Sequence, residues 1–146
     1  MEGDPGAFDF PTGARVAGLD FSFAGLKTAL LYKVRDLGEE RAGERRADLA
    51  ASYQRAIVEA LALRVERGLE QTGLEHTGLG RLAVGGGVAA NGPLRERMAG
   101  LGVPLKIPPH ALCTDNAAMI ASAARYVEPL RDYLALDAYA TGERGL

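Results

Sequence analysis

The chain has 146 residues, 47% hydrophobic and 25% charged, with a formal net charge of -2. These values fit one globular domain, and the near-neutral charge excludes a protein that grips nucleic acid by bulk basic charge, because phosphate contacts dominate such affinity. No apolar run approaches the ~18–20 residues needed to cross a bilayer, the first residues show no basic-then-apolar leader, and the single Cys113 cannot close an intrachain disulfide, so a reducing, cytoplasmic compartment is expected.

Residues 1–16 are rich in Gly, Pro and Asp and show no period, which reads as a loop or arm. In the next segment, 17–23, Leu19, Phe21 and Phe23 alternate with Asp20 and Ser22. That is the period of a strand. A helix is expected over 25–37, with Leu26, Leu30 and Val34 on one face, followed by a charged connector over 38–44. The longest helix is expected over 46–72, with Gly73 as its stop. In it Leu49, Tyr53, Ile57, Leu61, Val65 and Leu69 recur every four residues. A four-residue step drifts by ~40° each time on a 3.6-residue helix, so the stripe winds, as suits a helix laid across a twisted sheet.

Residues 81–84 read as a short buried strand running into three glycines. A helix over 93–99 follows, with Asn91 as its cap and Pro93 in its first turn, where a missing N–H costs nothing. Residues 104–107 form the next strand, and Pro108 and Pro109 force an extended turn. The last helix is expected over 115–126, capped by Thr114 or Asp115 and slimmed by its alanines. The tail after Pro129 is expected to dock as a short helix or strap. Strands alternating with helices imply an α/β sheet with crossover helices. So few strands read as part of a larger fold.

Two constellations carry chemistry. The first is Gly85 to Arg95, GGGVAANGPLR, which joins a strand to a helix. Ligands in open α/β sheets sit beyond the carboxyl ends of strands, and glycine lets a ligand approach the backbone. The loop lacks the dinucleotide and P-loop spacings, and either a nucleotide site or a structural tight turn accounts for it. Asn91 fits a helix cap or a partner for a ribose or base edge. The second is Cys113-Thr114-Asp115-Asn116 at the start of the last helix. Asp115 reads as a cap stabilised by the helix dipole or as a metal ligand, and a usable metal site needs three or more ligands. His76 and His110 are far apart in sequence. His76 reads as solvated, and His110 as incidental or close to Asp115. Cys113 reads as a small buried residue. Asp20, Ser22 and Lys27 could face a cleft, although a solvated face explains Lys27 as well.

Three segments in this order, GLDFSFAGLKTAL (18–30), GGGVAANGPLR (85–95) and CTDNAAMIA (113–121), resemble the C-terminal part of tRNA N(6)-adenosine threonylcarbamoyltransferases, and the opening EGDPGAFDFP matches the stretch before them. The resemblance implies a partial second lobe, residues 17–128, of the actin, sugar-kinase and heat-shock ATPase superfamily with its ribonuclease-H-like lobes. Residues 1–16 would be an arm and 129–146 a tail. It implies transfer of threonylcarbamoyl from threonylcarbamoyl-AMP to the N(6) amine of the tRNA adenosine next to the anticodon, an acyl transfer in which a metal would polarise the carbonyl. It implies that Asn91 contacts the nucleotide, that Gly86 and Gly87 lie against the adenosine, and that Asp115 ligates one iron or zinc ion. Partner proteins of the threonylcarbamoyl complex are implied too. The paired metal-binding histidines, the Ser-Gly-Gly loop of the first lobe and the early strands of the second lobe have no counterpart here, so the isolated chain is expected to be inactive. Two other readings stand beside this one: a non-catalytic interaction module or half of a split enzyme, and a sugar-kinase-like or carbamoyltransferase relative. The CTDN and GLDFSFAGLKT segments disfavour the last.

Overall fold

A computed structural model describes residues 3–72, 81–129 and 132. The chain divides into two compact units, Met1–Thr114 and Asp115–Leu146.

The first unit is built around one long helix. Helix α1 spans Ala24–Glu44 and is broken at Gly38, whose φ of 75° and ψ of 161° lie outside helical space. The expected connector over 38–44 is therefore helical after the break. Gly38 marks the change of direction because only glycine takes that backbone at little cost. Helix α2 spans Arg46–Thr72, as the sequence predicts. The expected stop at Gly73 lies outside the described residues.

Helix α2 buries two sides. On one, Leu49 and Ala56 pack with Phe10, Leu26 and Ala42, and Tyr53 and Ile57 lean on this cluster. The Phe10 and Tyr53 rings meet edge-on, with centroids 5.6 Å apart. On the other, Val58 and Ala62 pack with Leu94 and Met98. The winding stripe does pass from one cluster to the other, with Leu49 buried and Tyr53 and Ile57 half-buried at the first and Leu61 and Val65 at the second, while alanines 56, 60 and 62 lie fully inside beside it. Small residues let neighbouring elements approach the α2 axis closely, which a periodicity of large residues cannot show.

The N-terminal arm is fastened to α2 by polar bonds. The buried Ser52 hydroxyl accepts from Phe8 N at 3.1 Å and donates to Asp4 O at 3.1 Å. Asp48 accepts from Asp4 N at 2.9 Å and pairs with Arg45 at 2.6 Å. The Asp4 N–H, then the Arg45 hydrogen bond, hold the Asp48 carboxyl below its ordinary value. A depressed carboxylate contributes stability above its unfolded value, near pH ~3.9, and loses it as pH falls through the folded value. Asp48→Asn should therefore reduce the acid sensitivity of unfolding below about pH 4 and leave its pH dependence above that unchanged. Urea melts across pH 2.5–7, bracketing the ~3.9 reference, check this.

Further along, Arg64 and Arg67 hold residues 13–20 by their carbonyls. Arg64 donates from Nε to Asp20 O at 2.9 Å and from Nη2 to Gly13 O at 2.7 Å. Arg67 donates to Val16 O at 2.6 Å and to Ala14 O. The segment 17–23 is not a strand. Its alternation is real, yet no described strand pairs with it, and Phe21 remains 54% exposed. Phe21 and Phe23 instead stack on each other, centroids 6.2 Å apart.

The sheet is small. Strand β1, Leu82–Ala83, pairs in parallel with β2, Leu105–Lys106, with Leu82 opposite Leu105 and Ala83 opposite Lys106. Helix α3, Gly92–Ala99, crosses between them and is pinned to α2 by Leu94 and Met98. Arg97 on α3 also pairs with Glu66 at 2.7 Å and Glu59 at 3.2 Å on α2, which raises its guanidinium above the ordinary value. The result is a mixed helix and small-sheet α/β arrangement.

The second unit contains helix α4, Ala117–Ala123, followed by a 3-10 turn, Ala124–Tyr126. Its cap is Asn116, whose side chain accepts from Met119 N at 2.9 Å, not Thr114 or Asp115 as expected. The short amide reaches the free N–H groups once Asn116 itself is extended, at φ −151° and ψ 154°. The helix is correspondingly shorter than the expected 115–126. The alanines of α4 are exposed. The tail expected to dock after Pro129 lies outside the described residues apart from Asp132.

Candidate nucleotide-binding site

Parallel pairing puts the carboxyl ends of β1 and β2 at one edge of the sheet. Two loops therefore leave from the same side: Gly85–Asn91 after β1, and Pro108–Thr114 after β2. The first begins with Gly86 at φ 87° and ψ 174°, a region essentially closed to other residues. A 3-10 turn, Gly87–Ala90, follows, with Ala89 buried beneath it. A Cβ built at Gly85, Gly86 or Gly87 would meet no heavy atom within 4 Å. The glycines thus border open space and do not serve to avoid a clash within the chain.

Asn91 closes the loop. Its Oδ1 accepts from Leu94 N at 3.0 Å, capping α3, and Pro93 occupies the first turn. Its Nδ2 donates to Gln54 Oε1 on α2 at 3.3 Å. The cap reading is therefore correct, and it leaves one N–H and one oxygen lone pair of the amide for another partner. Asn91 and Val88 border a groove of about 640 Å³ whose walls include Leu30, Tyr53, Ile57 and Leu61. Its lining is largely apolar, with Gln54 and Asn91 supplying amides where it meets the loop.

Arg95 ties the two loops together. Its Nε donates to Ala89 O at 2.6 Å, and its Nη2 to Pro108 O at 2.6 Å and to the Cys113 sulfur at 3.2 Å. Cys113 is buried beneath these groups, as a small core residue would be. The glycine-loop motif and the start of the CTDN motif are thereby joined by one guanidinium.

The remaining candidates are dispersed. Asp20, Ser22 and Lys27 are exposed, and the Asp20 carbonyl accepts from Arg64. His110 opens an exposed 3-10 turn, His110–Leu112. His76 lies outside the described residues. Asp115 belongs to the second unit and is exposed. Among the described residues no three His, Cys, Asp or Glu side chains form a group able to hold a metal ion. One carboxylate does not fit iron or zinc, each of which takes several protein ligands.

The roles of Gln54, Arg64, Arg67 and Arg95 emerge only from the structure. Gln54 follows Tyr53 of the stripe, and Arg64 and Arg67 stand three apart on α2, but spacing alone does not reveal what they bind. No helix among the described residues is long and apolar enough to cross a membrane.

The sequence profile of the tRNA N6-adenosine threonylcarbamoyltransferase family matches residues 1–122. The chain belongs to this family. Curated tRNA N6-adenosine threonylcarbamoyltransferases from several bacteria are similar to it. The one from Bordetella pertussis is 49% identical over 131 residues, covering 84% of this chain. That from Gloeobacter violaceus is 47% identical over 139 residues, covering 93%. That from Symbiobacterium thermophilum is 45% identical over 129 residues, covering 86%. The matched stretch is only 36–39% of each relative's length. The chain therefore corresponds to a fragment of a tRNA N6-adenosine threonylcarbamoyltransferase, and the match takes in the glycine loop, Asn91 and Asp115.

Proposed function

We propose that this chain carries the adenosine side of a threonylcarbamoyl transfer site, completed by parts of the family protein outside this sequence. The carrying observation is the open loop at the carboxyl edge of the sheet. Gly86 and Gly87 border free space, and Asn91 stands beside them with one donor and one acceptor uncommitted. In this reading the adenosine of threonylcarbamoyl-AMP lies against Gly86 and Gly87, and Asn91 bonds its nucleotide part. The N–H groups of the turn and of α3 favour the polar end of such a ligand. Residues 17–128 then form part of a ribonuclease-H-like lobe.

The reaction is acyl transfer to the N(6) amine of the tRNA adenosine next to the anticodon, with adenylate leaving. This chain's residues hold the donor so that two large reactants meet in line, which accounts for much of the rate in such transfers. Asp115 is proposed as one ligand of the family's iron or zinc ion. The described residues do not by themselves assemble a ligand set for it. Partner proteins of the threonylcarbamoyl complex and a cytoplasmic setting, which suits the reduced Cys113, complete the reading.

Calorimetric titration with a non-hydrolysable threonylcarbamoyl-adenylate analogue tests it. The parent chain should bind weakly, and Asn91→Asp should weaken binding by at least about fivefold, the worth of one hydrogen bond. Aspartate keeps the helix cap, so a loss of binding at unchanged stability acts through the ligand and not the fold, and the same loss with uncharged adenosine excludes repulsion between the new carboxylate and the analogue. The second reading, an interaction module, is favoured by the apolar walls of the groove. It predicts no nucleotide binding and an interaction insensitive to Asp115→Ala.

A further inference from the structure

The amide of Asn91 is usable only if it faces one way, and the structure contains a device that fixes it. An asparagine amide can turn about its last torsion, exchanging its oxygen and nitrogen ends. Here the oxygen end is taken by Leu94 N at 3.0 Å, and the nitrogen end donates to Gln54 Oε1 at 3.3 Å. The first bond comes from the cap of α3. The second comes from α2, a separate element that lines the same groove. Gln54 accepts there through its oxygen, and among the described residues nothing accepts from its Nε2. It lies on the exposed surface of α2 and lines the same groove as Asn91, so no core packing requires an amide at this position.

We infer that Gln54 is a positioning residue: it holds the Asn91 amide with its nitrogen toward α2 and so presents a fixed donor and acceptor to the nucleotide. This rests on the adenosine-site reading above. The bond that does the positioning uses the acceptor of Gln54 and not its donors. Gln54→Glu keeps the acceptor and the length of the side chain, whereas Gln54→Met keeps only the length.

The test is an NMR titration of the full chain with adenosine, which carries no charge to confuse the glutamate variant. The Asn91 side-chain amide signals, assigned by their disappearance in Asn91→Asp, report the bond directly. Gln54→Met should shift these signals, leave the Leu94 amide in place, and weaken adenosine binding about fivefold, as for one lost hydrogen bond. Gln54→Glu should retain binding within about twofold, inside the range of one ordinary bond. Unchanged binding in Gln54→Met, with Asn91→Asp impaired, would overturn the positioning role alone. Equal losses in both Gln54 variants would also overturn it, making Gln54 a direct contact through its donors. No binding by the parent chain would overturn the adenosine-site reading, and this inference with it.

Discussion

Gly86→Val is expected to lower stability by about 1–3 kcal/mol and to abolish nucleotide binding, while Gly87→Ala should spare stability and impair binding. The two glycines are adjacent, yet their demands differ. Gly86 sits at φ 87° and ψ 174°, where a side chain strains the backbone whatever space surrounds it. Gly87 does not have a positive φ, and a methyl there meets nothing within 4 Å. Alanine at a compatible position even stabilises by about 0.4–1 kcal/mol, by restricting the unfolded chain. The open space beside Gly87 is the space assigned to the ligand, so its cost should appear in affinity alone. Urea denaturation and calorimetry on the same samples separate the effects. If Gly87→Ala bound the analogue as well as the parent chain, the ligand would not approach the backbone there.

Met98→Ala should be the most destabilising single truncation in the first unit. Met98 is 1% exposed and packs with Val58, Ala62 and Leu94. Truncating a buried methionine costs about 2–5 kcal/mol through lost burial and the cavity left behind. That is a large part of the ~5–15 kcal/mol stability of an ordinary domain. Met98→Leu, nearly equal in volume, should cost less than about 1.5 kcal/mol. The consequence reaches the site, because α3 carries Asn91 at its start and Arg95 along its length. Urea midpoints for both variants check the prediction, and a similar cost for alanine and leucine would contradict the packing assigned to α2 and α3.

The parts visible in the sequence were those set by local chemistry. The bounds of α2 followed from its composition and apolar spacing. Asn91 as a cap followed from its place before Pro93, and the amide does bond Leu94 N. The two strands followed from short apolar runs ended by glycine or proline. What failed depended on partners far along the chain. The alternation over 17–23 looks like a strand, but a strand exists only beside another, and no described strand accompanies it. The stripe on α2 does mark residues that pack into both clusters, but it does not show that alanines 56, 60 and 62 lie inside beside it. Thr114, Asp115 and Asn116 are all competent caps of α4, so residue type does not choose among them. Only the extended backbone at Asn116 selects it. The role of Arg95 is hidden within the loop motif, since Ala89 and Pro108 reach it only through the fold.

Three bonds from Arg95 tie the two motifs together in this chain. Arg95 couples the floor of the glycine loop to the turn after β2, so movement of one loop strains the other. Leaving either carbonyl without its donor would cost about 1–3 kcal/mol if buried. The glycine loop is thus braced from α3 by Arg95 and from α2 through Gln54.

The central claim is that the adenosine of the donor rests on the glycine loop. The most direct measurement is a map of backbone amide NMR shifts as the non-hydrolysable threonylcarbamoyl-adenylate analogue is added to the isotope-labelled chain. The account predicts that the largest changes fall on Gly86, Gly87, Val88 and the Asn91 side chain, with smaller ones at Gln54. Saturating shifts confined elsewhere, or none from a chain whose spectrum shows it folded, would contradict it.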